Sequence, residues 1–97
     1  MATNFYKNAV LQLLQKMKLG KLSLTDENGN QQVFGQTDEI DADIHIKSKE
    51  FYQMVVLYGD IGFGEAFMQG LWETQSVTAV ISFMIANLAH LPSLSGS

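Results

Sequence analysis

The chain has 97 residues, 46% of them apolar and 16% charged, with a net charge of −4 and no cysteine. That suffices for one domain with a modest core; it is too little for a two-domain enzyme, and a full nucleotide-binding α/β domain would be cramped in it. The lack of cysteine removes disulfides, thiolate chemistry and zinc fingers, and the acidic balance argues against nucleic-acid binding, which runs on a positive surplus.

The first residues carry neither the apolar stretch nor the cleavage site of a secretory signal. No run of about 18 apolar residues predicts a transmembrane helix, so a cytoplasmic location is expected. Residues 5–18 predict an amphipathic helix. Tyr6, Val10, Leu13, Leu14 and Met17 recur at spacings of three and four, and Lys7, Gln12, Gln15, Lys16 and Lys18 fill the other face. Gly20 is the expected stop.

The period then changes to two. Residues 21–25 alternate as a half-buried strand, Asn28-Gly29 favours a tight reversal, and residues 31–34 return as the partner strand, ending at Gly35. A third alternation sets Ile40, Ala42, Ile44 and Ile46 against Asp41, Asp43, His45 and Lys47. Ser48 predicts the N-cap of a helix with an apolar stripe of Phe51, Met54, Val55 and Tyr58, stopped at Gly59. Residues 62–70 predict one or two helical turns, and residues 71–74 a last short strand. From Thr74 to Ser97 no residue is formally charged. There Val77, Val80, Ile81, Met84, Leu88 and Leu91 form a helical stripe ended by Pro92. A helix so apolar predicts either a central core helix or one whose outer side meets a lipid tail, a second copy or another domain. The fold class expected is α+β: a mostly antiparallel sheet of about four to five strands with helices on its dry face.

Chemical motifs are few. His45 and His90 lack ligand-spaced companions. Asp38, Glu39, Asp41 and Asp43 read as a solvated strand face rather than a calcium loop. Asp60-Ile61-Gly62-Phe63-Gly64, after Met54-Val55-Val56-Leu57, resembles the strand and glycine loop of adenosylmethionine-binding methyltransferases. However, Ala66 stands where the third glycine belongs, Gly59 interrupts the strand, and too little chain follows for the remaining units. Gly62 and Gly64 instead predict a tight turn feeding the short helix. Glu65 lies near that helix's start, and Trp72 is expected to anchor the core.

Residues 59–73 are more specific. Gly59, Gly62, Gly64, Glu65, Met68, Gly70, Trp72 and Glu73 match, and Ile61, Phe63, Ala66 and Phe67 approximate, a pattern G-x-L-G-L-G-E-[SA]-[YF]-M-x-G-x-W-E. This segment resembles the end of the N-terminal, non-catalytic domain of cyclopropane-fatty-acyl-phospholipid synthases. Leu71 departs where many members carry a second Trp. The order of elements, with Ala42, Asp43, Ile46, Phe67, Gly70 and Leu71 in corresponding places, is also similar to the sterol-carrier-protein fold.

The resemblance implies a single accessory domain over residues 1–91 with a linker at 92–97. It implies no catalytic residue, metal or cofactor in this stretch, and adenosylmethionine for the parent enzyme. The implied partners are a C-terminal methyltransferase domain in cis and a phospholipid or membrane surface at the inner face of the membrane. A homodimer contact is a further one. Gly62, Phe63, Gly64, Glu65, Phe67, Met68, Gly70 and Trp72 are the implied lipid or domain interface. Two alternatives stand beside this reading: a stand-alone lipid carrier with an apolar tunnel, and a small adenosylmethionine-dependent enzyme built on residues 60–64.

Overall fold

The structure, a computed structural model, describes residues 2–37 and 39–89, with side chains from Phe5 onward. Asp38, His90, Leu91, the Pro92 stop and the 92–97 linker lie outside the described residues. The elements run α1 (Ala2–Gln15), β1 (Lys21–Thr25), β2 (Gln31–Gly35), β3 (Asp41–Ile46), α2 (Glu50–Met68), β4 (Trp72–Glu73) and α3 (Val77–Leu88). The fold is α+β, as the alternation of helical and strand periods predicts.

The four strands are ordered β2-β1-β3-β4. β1 and β2 form the expected hairpin, with Leu22 opposite Phe34, and β4 pairs antiparallel with β3, setting Trp72 opposite Ile46. The central pairing differs from expectation. β1 and β3 run parallel, with Leu22 opposite Ala42 and Leu24 opposite Ile44, so the sheet is mixed. The link 36–40 is the reason. Residues 36–37 leave β2 beside the start of β1, and residues 39–40 enter β3 on the far side of β1. Hydrogen bonds hold it there: Gln36 N–H to the Lys18 carbonyl (2.9 Å), Lys21 N–H to the Ile40 carbonyl (2.6 Å) and Gly20 N–H to Thr37 Oγ1 (2.6 Å). Skipping one strand takes about 10 Å, within reach of a short link at about 3.3 Å per residue.

Strand alternation puts Leu22, Leu24, Phe34, Ala42, Ile44, Ile46 and Trp72 on one face, all buried. Onto it pack Val10, Leu14 and Met17 from the first helical segment, Phe51, Tyr52 and Ala66 from α2, and Val80 and Phe83 from α3. The first helix ends at Gln15, earlier than expected. Lys16 and Met17 amides bond back to Leu13 and Leu14 carbonyls, and this tighter turn still delivers Met17 to the core. In α2, Tyr52 faces the core, whereas Tyr58 is exposed.

α3 does not sit in the centre of the core. Ser76 Oγ caps it by accepting from the Ala79 amide at 3.1 Å. Val80, Phe83 and Asn87 are buried, while Val77, Ile81 and Ile85 are 44%, 44% and 66% exposed. Among the described residues no helix is long and apolar enough to cross a membrane.

Candidate functional site

Gly59 divides α2 into two limbs. Its φ of 61° and ψ of −135° are non-helical and open to glycine above other residues. The second limb, residues 60–68, folds back on the first, residues 50–58. A methyl group on Gly62 would overlap the Met54 carbonyl oxygen and lie 2.9 Å from Tyr58 Cβ. Gly62 is thus the small residue that lets the two limbs touch. The tight turn expected at Gly62 and Gly64 is corrected: both are helical, and the reversal is at Gly59. Residues 54–57 are helical too, so the strand and glycine loop of a cofactor cradle are not formed here.

Gly70 ends the second limb with φ of 77°. Its amide bonds the Phe67 carbonyl and the Leu71 amide bonds the Ala66 carbonyl, at 3.0 and 2.9 Å, closing the helix through a left-handed residue. This turn aims Trp72 into the core at 3% exposure. The Trp72 ring stacks on Phe63 with centroids 4.4 Å apart and meets Phe67 at 4.9 Å and Phe51 at 6.4 Å.

Of the expected interface residues, Phe63, Phe67 and Trp72 therefore converge, and Gly62 is buried. Gly64, Glu65, Met68 and Gly70 face solvent, Met68 at 81% exposure. The three rings pack on one another rather than around a space. A groove of about 220 Å³ lies elsewhere, lined by Glu50, Gln53, Met54, Leu57, Tyr58, Gln69 and Leu71, and none of the expected interface residues reaches it. The outer surface of α2 exposes Val56, Leu57, Tyr58, Ile61, Phe67 and Met68. Its charged residues are Glu50, Asp60 and Glu65, with no Lys or Arg in the helix. This surface is apolar with an anionic fringe.

The chain matches no family model, no curated protein and no solved structure.

Sequence reasoning missed a polar cluster where α1, the β1–β2 turn and α2 meet. Lys7 Nζ donates to Asp26 Oδ2 at 3.0 Å and to Glu27 Oε2 at 3.2 Å, and Tyr52 OH donates to Glu27 Oε1 at 2.6 Å. The second Asp26 oxygen accepts from the Asn28 and Asn30 amides, each at 2.9 Å, and so shapes the turn. Burial works against the Lys7 charge, but its bonds to Asp26 and Glu27 outweigh this and raise its pKa. Burial also opposes the two carboxylates, yet Asp26, bonded by Lys7 and backbone amides, and Glu27, bonded by Tyr52 and Lys7, are both held below their usual range. Burial, reinforced by Glu27, pushes the Tyr52 hydroxyl well above its usual value. Each of these side chains is satisfied by its neighbours, so the cluster acts as a clasp rather than as an acid or base awaiting a substrate. The one sequence signal was Asp26, an Asx-type turn residue beside Asn28-Gly29.

Asn87 was missed as well. It is 3% exposed and copies a strand edge: Oδ1 accepts from the Leu19 amide at 2.9 Å, and Nδ2 donates to the Leu19 and Phe83 carbonyls at 2.8 Å each. Asp43, expected to be merely solvated, accepts from Thr74 Oγ1 at 3.0 Å and from the Gln75 amide at 3.1 Å, fastening the turn into α3.

Proposed function

We propose that this chain is the non-catalytic N-terminal module of an enzyme resembling the cyclopropane-fatty-acyl-phospholipid synthases, with a sterol-carrier-protein-like arrangement of its α+β fold. In this reading the module acts in the cytoplasm, at the inner face of the membrane. It docks on an adenosylmethionine-dependent domain that follows in cis and helps bring phospholipid to it. The observation that supports this is the folded-back second limb of α2. Gly59, Gly62, Gly70, Phe63 and Trp72, all in the matching stretch, build that limb, which leaves Ile61, Phe67 and Met68 exposed. Flexible Met and flat Phe side chains suit adaptable contact with acyl chains. The anionic fringe of Glu50, Asp60 and Glu65 makes that contact apolar rather than electrostatic, so zwitterionic lipid is favoured over anionic lipid.

The natural reading frame beyond Ser97 is the first test. A methyltransferase domain is expected there, and a stop codon or an unrelated domain overturns the reading. The second test uses that full enzyme on phosphatidylethanolamine vesicles. Ile61→Asp combined with Met68→Asp is expected to lower transfer to lipid by about tenfold, the loss of one or two buried apolar contacts, with melting and adenosylmethionine binding unchanged. Full activity in that variant removes the lipid role from the limb.

A further inference from the structure

The β1–β2 turn carries a dipeptide with chemistry of its own. In Asn28-Gly29 the asparagine amide lies next to a backbone nitrogen that no side chain shields. The Gly29 nitrogen can attack Asn28 Cγ. A C–N bond forms, the bond from Cγ to Nδ2 breaks, and the side-chain nitrogen leaves as ammonia. The succinimide ring that remains takes up water at either of its carbonyls. It opens to aspartate or to isoaspartate, whose main chain runs through one extra carbon. Water is the co-reactant and nothing is oxidised or reduced.

Both residues are exposed, and a methyl group on Gly29 would meet nothing within 4 Å. The turn nevertheless restrains the attacking atom. Gly29 N–H donates to the Asp26 carbonyl at 3.0 Å, and its φ of 87° closes the loop through a left-handed residue. Asp26 Oδ1 pins the main chain on either side, accepting from the Asn28 and Asn30 amides at 2.9 Å each. Asp26 is fixed in turn by Lys7 Nζ at 3.0 Å, and Glu27 by Lys7 Nζ at 3.2 Å and Tyr52 OH at 2.6 Å. To react, the Gly29 nitrogen must give up its proton and move toward Cγ. Its bond to the Asp26 carbonyl opposes both, so attack requires local opening of the turn.

We infer that Asn28 is a self-modification site, which water converts to aspartate and isoaspartate at a rate set by how firmly the Lys7–Asp26–Glu27–Tyr52 clasp holds the turn. The product works against the clasp. It places a new carboxylate next to Glu27 and two positions from Asp26, where the cation is Lys7. In the isoaspartate form the extra carbon also shifts the Gly29 and Asn30 amides away from their Asp26 acceptors. Ammonia is lost to solvent, so the change runs one way and loosens the β1–β2 hairpin as the protein ages.

The test is the rate of conversion at Asn28 in the purified 97-residue chain at neutral pH. Peptide mass spectrometry detects the exchange of amide for acid, and electron-transfer fragmentation separates aspartate from isoaspartate. Far-ultraviolet circular dichroism checks that each variant folds. The chain unfolded in urea sets the unrestrained rate, and the folded parent is expected to convert at least about tenfold more slowly. Lys7→Met leaves the turn sequence intact and is expected to convert about threefold faster than the folded parent, through loss of partly exposed ion pairs. Asp26→Ala also removes the acceptor of two amides and is expected to convert about tenfold faster. All three should agree in urea. Asn30, followed by Gln31, should stay unconverted while Asn28 reacts. A folded parent that converts as fast as the urea-unfolded chain overturns the inference. So does a folded Lys7→Met protein that keeps the parent's rate, and that variant decides the matter where Asp26→Ala fails to fold. Equal conversion at Asn28 and Asn30, or none at Asn28 even in urea, overturns it too.

Discussion

The indole N–H of Trp72 donates to the main-chain carbonyl of Phe63 at 2.9 Å, and the two rings stack with centroids 4.4 Å apart. Trp72 opens β4 and Phe63 lies in the folded-back limb of α2, so one pair ties that limb to the edge of the sheet. The ring anchors a strand of only two residues beside its ladder pairing with Ile46 and His45. Trp72→Phe retains an aromatic ring and removes the donor, and is expected to cost about 1–3 kcal/mol. Trp72→Ala removes the ring as well and is expected to cost about 3–5 kcal/mol. Urea unfolding followed by circular dichroism measures both. A Trp72→Phe protein as stable as the parent shows that the bond adds nothing to the stack.

Two glycines that look alike in sequence are expected to respond oppositely to alanine. Gly64 is helical, and a methyl group there meets nothing within 4 Å. Gly64→Ala should therefore stabilise by about 0.5–1 kcal/mol through helix propensity and a less flexible unfolded chain. Gly62→Ala gains the same propensity but drives its methyl into the Met54 carbonyl oxygen. Backbone cannot yield as a side-chain tip can, and a net loss of about 1–3 kcal/mol is expected. Thermal melts of the two variants side by side decide it. A stabilised Gly62→Ala would mean the limbs of α2 are not in contact.

Gly70 tests the other end of the limb. Its φ of 77° lies where a branched side chain is strained, although the space around it is open. Gly70→Val should lower stability by at least about 1–2 kcal/mol from backbone strain alone. Gly70→Asn, which tolerates the left-handed region better, should fall between Val and the parent. Equal stability of the Val and Asn variants in a denaturant series would show that the turn can be made another way.

Local signals in this chain were legible and distant pairings were not. Alternation revealed which side of β3 is dry, since Ala42, Ile44 and Ile46 are all buried. It could not reveal that β1 lies beside β3 in parallel, because a period of two fixes a face and leaves the neighbour open. Gly59 read correctly as the end of a helical limb, yet the contact it creates between Gly62 and Met54 needs the three-dimensional bend. The Lys7 clasp was invisible for the same reason: Asp26, Glu27 and Tyr52 lie 19, 20 and 45 positions further along the chain. Tyr52 stands outside the expected stripe of Phe51, Met54, Val55 and Tyr58, yet its ring is buried and its hydroxyl donates to Glu27. The stripe on α3 was present in the sequence, but which of its apolar residues would stay uncovered depended on where Asn87 anchors the helix to Leu19.

The clasp predicts how stability depends on pH. Asp26 and Glu27 have folded pKa values below their ordinary 3.8 and 4.5, so their contribution is fully present above those values and is lost as pH falls through the lowered ones. Lys7 and Tyr52 are raised above their ordinary 10.5 and 10.0, so their contribution is fully present below those values and is lost as pH climbs past them. Unfolding free energy should therefore be level from about pH 5 to about pH 9 and fall on both sides. Glu27→Gln separates this clasp from the other carboxylates. It weakens the bonds to Lys7 Nζ and Tyr52 OH and should cost about 1–3 kcal/mol at neutral pH. Below the lowered pKa of Glu27 the parent has itself lost that charge, so the gap between variant and parent should close as the acid limb is descended. A gap that stays constant from neutral pH to about pH 3 would assign the loss to altered packing rather than to the charge.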